Sequence, residues 1–138
     1  VSFDEIPSRL RAVEAEIARA TEACGRPPGS VRLVAVTKGQ GALAVERACD
    51  AGQRLFGENY VAELLEKKTE VGDREPPLEW HFIGRVQRNK AREIATASMV
   101  HGVGARRHLE ALAAHMQGQT QLPVLLQVNL ANEPQKNG

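Results

Sequence analysis

The residue in this sequence best placed to do covalent chemistry is a lysine that directly follows a short apolar run. Ala35, Val36, Thr37, Lys38 and Gly39 stand in that order. A lysine at the mouth of a buried strand is partly desolvated, and desolvation frees its amine as a nucleophile. A neutral amine attacks an aldehyde and forms a Schiff base. The plainer reading is a strand-end lysine whose stem packs while its head reaches water. Position alone favours that plainer reading.

Other distinctive polar residues collect after the other apolar runs. Gly57, Glu58, Asn59 and Tyr60 follow the second run. His81 lies within the third, which Gly84 and Arg85 close, and Asn129 is near the end of the fifth. Ligands of parallel α/β folds bind at the carboxyl ends of the strands. These positions therefore point to one shared mouth.

Several other chemistries fail on order or spacing. Thr37-Lys38-Gly39-Gln40-Gly41 puts its lysine before the glycines, the reverse of a P-loop. Gly102-Val103-Gly104 lacks the third glycine and the distant acid of a dinucleotide fingerprint. His81, His101, His108 and His115 are scattered, with no i, i+4 metal pair. No Ser/His/Asp arrangement stands out. The basic run Arg85, Arg88, Lys90, Arg92 reads first as a solvated helix face. Anion binding is its sharper reading.

The elements that must hold these residues follow from periodicity. Phe3, Ile6, Leu10, Val13 and Ile17 mark one stripe of an amphipathic helix. Gly25 to Ser30 breaks it. Residues 31–36 are predicted as a strand covered on both faces. Helices are predicted over 42–51, 60–71, 88–97 and 106–116, with Val61, Leu64, Leu65 and Lys68 on one face of the second. Further strands are predicted over 53–56, 80–83, 99–103 and 124–130. This alternation requires parallel strands with crossover helices. An open doubly wound sheet and a (β/α)8 barrel both satisfy it, and right-handed connections are common to both.

Composition bounds the rest. The 138 residues suit one domain, 42% hydrophobic and 25% charged, with a net charge of +1. That balance offers no electrostatic case for nucleic acid or an acidic membrane. No apolar run approaches the roughly 20 residues that cross a bilayer. The first residues lack the basic-then-apolar shape of a signal peptide. Cys24 and Cys49 are too few for a disulfide framework, which suits a reducing cytoplasm, and both are expected to be buried.

Four segments, in order, carry a resemblance. They are Val34-Ala35-Val36-Thr37-Lys38; Phe56-Gly57-Glu58-Asn59-Tyr60-Val61; Trp80-His81-Phe82-Ile83-Gly84 with Gln87, Asn89 and Lys90; and Gln127-Val128-Asn129 with Glu133 and Lys136-Asn137-Gly138. Together they resemble the pyridoxal phosphate homeostasis protein family, from the first helix to Gly138. The resemblance implies a (β/α)8 TIM-type barrel of the alanine racemase N-terminal type. It implies pyridoxal 5′-phosphate bound as a reversible Schiff base on Lys38, with Asn59, His81 and Asn129 facing the cofactor. It also implies a protein that holds the cofactor and supplies it to apo-enzymes, without dedicated catalysis. The expected location is the cytoplasm, with no nucleic-acid or membrane partner.

The chain departs from the family in two ways. Many relatives carry a second lysine and a proline where this chain has Gln40 and Gly41. A barrel of this kind takes about 250 residues, so residues 1–138 are expected to be a single unit shortened on the C-terminal side, with about five strands. The family's phosphate cradle comes from the later half. The chain is then a monomer or is completed by another chain. Two other functions stay open. An amino-acid racemase would use Lys38 as base, but Tyr60 is the only tyrosine available as second base. A half-barrel that has lost the cofactor would act through protein contacts.

Overall fold

The computed structural model describes residues 3–116, 118 and 121–135. After a 3-10 turn, helix α1 spans Ile6–Ala23, with Pro7 in its first turn, where a missing N–H is harmless. Gly25 takes the left-handed conformation just past its end. Strand β1 is Ala35–Val36, α2 is Ala42–Asp50, β2 is Leu55–Glu58 and α3 is Val61–Val71. Strand β3 is Glu79–Phe82; a 3-10 turn then leads into α4, Ala91–Ile94. Strand β4 is Met99–Val103, α5 is Arg106–Ala113 and β5 is Val124–Leu126.

The five strands are all parallel and lie in the order β1-β2-β3-β4-β5. That sequential order separates the two candidate architectures. A doubly wound sheet reverses its order at a switch point, whereas a barrel adds each strand beside the last. Side chains alternate across β3. Trp80 and Phe82 enter the core with Phe56, Leu64, Ile94, Val100 and Leu112. Glu79 and His81 belong to the opposite face by the two-residue period.

The differences from expectation have local causes. Residues 31–34 do not join β1, whose ladder to β2 consists of the pairs Ala35↔Phe56 and Val36↔Gly57. The buried Gln53 takes the ladder's place: its Nε2 donates to the carbonyls of Leu33 and Leu55. This side-chain task also moves β2 two residues on from 53–56. Helix α4 stops at Ile94 because Thr96 and Ala97 bond three residues back, tightening the turn into β4. Met116 likewise bonds three residues back, to Ala113, so α5 ends earlier than expected. Strand β5 stops at Leu126, and Gln127 N–H makes the last bond, to Val103, where β4 itself ends. On α3 the buried face is Leu64, Lys67 and Val71, while Leu65 is exposed. Cys49 is buried as expected, but Cys24 is exposed at the end of α1. Burial pushes the Cys49 thiol up, which keeps it protonated and unreactive. Among the described residues no helix is long and apolar enough to cross a membrane, and no group of three or more His, Cys, Asp or Glu is placed to hold a metal.

Candidate functional site

Lys38 stands two residues beyond β1, and it is exposed rather than partly desolvated. The turn that carries it is fixed from both sides. Before it, Thr37 is buried: its N–H donates to the Gly57 carbonyl at 3.1 Å, and its hydroxyl donates to Glu58 Oε1. After it, Gly39 takes a φ of +70°, and its N–H donates to Glu63 Oε2 at 2.7 Å. Only a residue without a Cβ takes that conformation freely.

One ammonium group joins these anchors. Lys67 Nζ donates to the Thr37 carbonyl at 2.7 Å, to Glu58 Oε1 at 2.8 Å and to Glu63 Oε2 at 2.9 Å. An ammonium has three protons, so its donor capacity is fully used. Glu58 is wholly buried and Lys67 nearly so. The Lys67 ammonium, followed by the Gly39 N–H, holds the Glu63 carboxyl below the usual carboxylate range. Sequence reading missed Glu63 and Lys67. One signal was present: they are an i, i+4 acid–base pair.

Asn59 follows β2 directly. In the register set by Val36↔Gly57 it extends opposite Lys38. It is half-buried, and its Oδ1 is buried with no hydrogen-bond partner. Its backbone carbonyl packs so tightly under Gly84 that a Cβ there would overlap it, and Gly102 packs in the same way over the Gly84 carbonyl. These glycines let the ends of β2, β3 and β4 converge.

His81 pairs in register with Gly57, one alternation below the level of Asn59. It is buried, and its Nδ1 lies 3.0 Å from Nε2 of His101 on β4. The histidines that are scattered in sequence are thus partly gathered in space. His81 Nε2 lies 3.8 Å from Glu79, which pairs with Arg32 at 3.0 Å. Desolvation pushes both rings below the ordinary imidazole value of 6.5; for His81 the neighbouring His101 adds to this and Glu79 opposes it. As pH falls through about 6.5 the unfolded histidines take up protons that the folded pair resists. The unfolded state then binds more protons, so stability should drop from that point down to the lowered folded value. Urea midpoints measured across this window should fall with pH. A flat profile there would contradict the pairing.

Asn129 lies past β5. Its Nδ2 donates to the Glu133 carbonyl at 2.9 Å and its Oδ1 accepts from Glu133 N–H at 3.0 Å. The side chain therefore closes its own turn, whose Asn132 has a φ of +52°. Lys136, Asn137 and Gly138 lie outside the described residues.

The alanine racemase N-terminal domain model matches residues 8–137. The chain belongs to this family. Within the family it is 43% identical over 135 residues to a pyridoxal phosphate homeostasis protein of Pseudomonas aeruginosa. That match covers 96% of this chain and 58% of the relative. A protein of the same name from Escherichia coli is 39% identical, with 99% of this chain and 59% of the relative covered. The chain thus spans somewhat under two thirds of the length of these curated relatives. Among solved structures, PipY of Synechococcus elongatus, with pyridoxal phosphate bound, aligns at a TM-score of 0.76 and 34% identity. The alignment covers 96% of this chain and 57% of PipY. An unknown protein from Bifidobacterium adolescentis aligns at a TM-score of 0.86 and 29% identity, over 99% of this chain and 59% of that one. The fold is therefore the α/β barrel type of this family, present here as five parallel strands.

Proposed function

We propose that this chain binds pyridoxal 5′-phosphate through a reversible covalent bond to Lys38. Its role is to hold the cofactor for intracellular homeostasis and release it to apo-enzymes, without turning over a substrate of its own. The observation that carries this reading is the fixed turn at the end of β1. A buried ion cluster holds that turn on both sides, yet the lysine between them is exposed and has no carboxylate partner among the described residues. An ion cluster of this kind is a large structural investment for a solvated surface lysine.

The residues present fit the reactive end of the cofactor. Lys38 offers the amine, and the orphaned Asn59 Oδ1 offers a buried acceptor on the neighbouring strand. When bound, the cofactor supplies an aldehyde that condenses reversibly with amines. Release to a second amine needs only that reversibility. His81, held neutral against His101, presents a weakly basic wall below Lys38. Asn129 shapes the turn after β5. On this reading residues 1–138 form one cofactor-binding unit, the N-terminal part of a barrel, working in the cytoplasm with apo-enzymes as partners. PipY, a structural neighbour described with the same cofactor bound, supports the choice of ligand.

The test is a titration of the purified chain with pyridoxal phosphate, followed by visible absorbance. A saturable band is expected, with no racemisation of added L-alanine. Asn59→Ala should weaken the complex about tenfold, the loss of one hydrogen bond to a polar ligand, while the band survives. Steady racemisation, or no band in folded protein, would count against the proposal. Unchanged affinity in the variant would remove Asn59 from the site.

A further inference from the structure

We propose a second site, separate from Lys38, that binds a phosphate-type dianion between the segment after β3 and the start of α5. A cavity of about 470 Å³ opens there. Arg85, Gln87, Arg88 and Asn89 line it from one side, Arg107 and His108 from the other, and no carboxylate lines it. Two of the four residues in the basic run read from the sequence thus meet a third arginine contributed by a different helix.

The charges in this cavity are uncompensated. Arg32, Arg74 and Arg106 each pair with a glutamate, though lone arginines such as Arg47 and Arg92 also occur elsewhere. Among the described residues Arg85, Arg88 and Arg107 pair with none. The contrast is sharpest between neighbours: Arg106 bonds Glu110 at 2.9 Å, while Arg107 faces the cavity. His108 is only 5% exposed, and its Nδ1 is buried without a partner. Desolvation, then the charges of Arg107 and Arg85, hold its ring toward the neutral form.

Guanidinium groups arranged around one space match the oxygens of a tetrahedral dianion, and the amides of Gln87 and Asn89 add neutral donors. A bound dianion would relieve the mutual repulsion of the arginines. It would also favour the protonated His108. The shared chemistry is the phosphate group, either free or as the phosphomonoester of a small molecule. Neither Lys38 nor Asn59 lines this cavity, so the site does not depend on the proposed cofactor role.

The test uses the full 138-residue chain and proton NMR of its four histidine rings at fixed ionic strength. Inorganic phosphate and glycerol 3-phosphate are titrated separately, with chloride as the control. Either phosphate should shift the His108 signals saturably toward the protonated form. Arg85→Gln and Arg107→Gln should each weaken that binding about tenfold or more. The His81 and His101 signals, unchanged, would show that both variants are folded. Tighter binding of glycerol 3-phosphate would assign the site to a phosphomonoester, and the reverse to free phosphate. A shift that chloride reproduces, or equal affinity in the folded variants, would overturn the proposal.

Discussion

Lys67→Met should destabilise this chain by about 3–5 kcal/mol, the usual cost of breaking a buried ion pair from one side. Lys67 is 3% exposed and Glu58 is 0% exposed, so neither reaches water. Removing the ammonium would leave the Glu58 carboxylate with the Thr37 hydroxyl alone, since its Oε2 already lacks a partner. The same change frees the Thr37 carbonyl and detaches Glu63 from α3's own lysine. Both anchors of the Lys38 turn would loosen together. Replacing Glu58 as well, as Glu58→Gln with Lys67→Met, removes the uncompensated charge and should recover part of the loss. Urea unfolding of the two variants against wild type measures this. A loss in Lys67→Met below about 1 kcal/mol, the range of surface pairs, would mean that water screens the cluster and that it does not hold the turn.

Lys38→Ala should do the opposite on both counts. Lys38 is exposed and makes no ion pair among the described residues, so stability should change by no more than about 0.5 kcal/mol. Covalent attachment of pyridoxal phosphate should vanish, because among the described residues no other amine is held in a fixed turn at this mouth. Lys67, the nearest alternative in the site, has all its donors engaged. The pair of variants therefore separates support from chemistry. One loses the fold's hold on the turn, while the other keeps the turn and loses the amine.

The alternation of helix and strand was legible because the buried strands are short apolar runs and the helices carry three- and four-residue stripes. Strand order was not, since pairing is non-local: only the sequential parallel register distinguishes barrel from doubly wound sheet. Edges failed where side chains replace backbone pairing. Gln53 reads as a polar strand residue but serves as a bracket between Leu33 and Leu55. Lys67 and Lys68 both lie three or four residues from Leu64 and Val71, so apolar spacing suits either one turning inward; only the i, i+4 pair with Glu63 favours Lys67. The partner that decides it, Glu58, lies nine residues away on a strand. The same holds for His81 and His101, twenty residues apart, and for the convergence of Arg85 with Arg107. Lys38 itself was found by its place after an apolar run. Its exposure and the network behind it were visible only in three dimensions.

The attachment of pyridoxal phosphate to Lys38 is tested most directly by borohydride reduction of the chain mixed with the cofactor, followed by peptide mass mapping. One reduced adduct is expected, on Lys38, absent from Lys38→Ala. An adduct on another lysine, or one that persists in Lys38→Ala at wild-type yield, would contradict it.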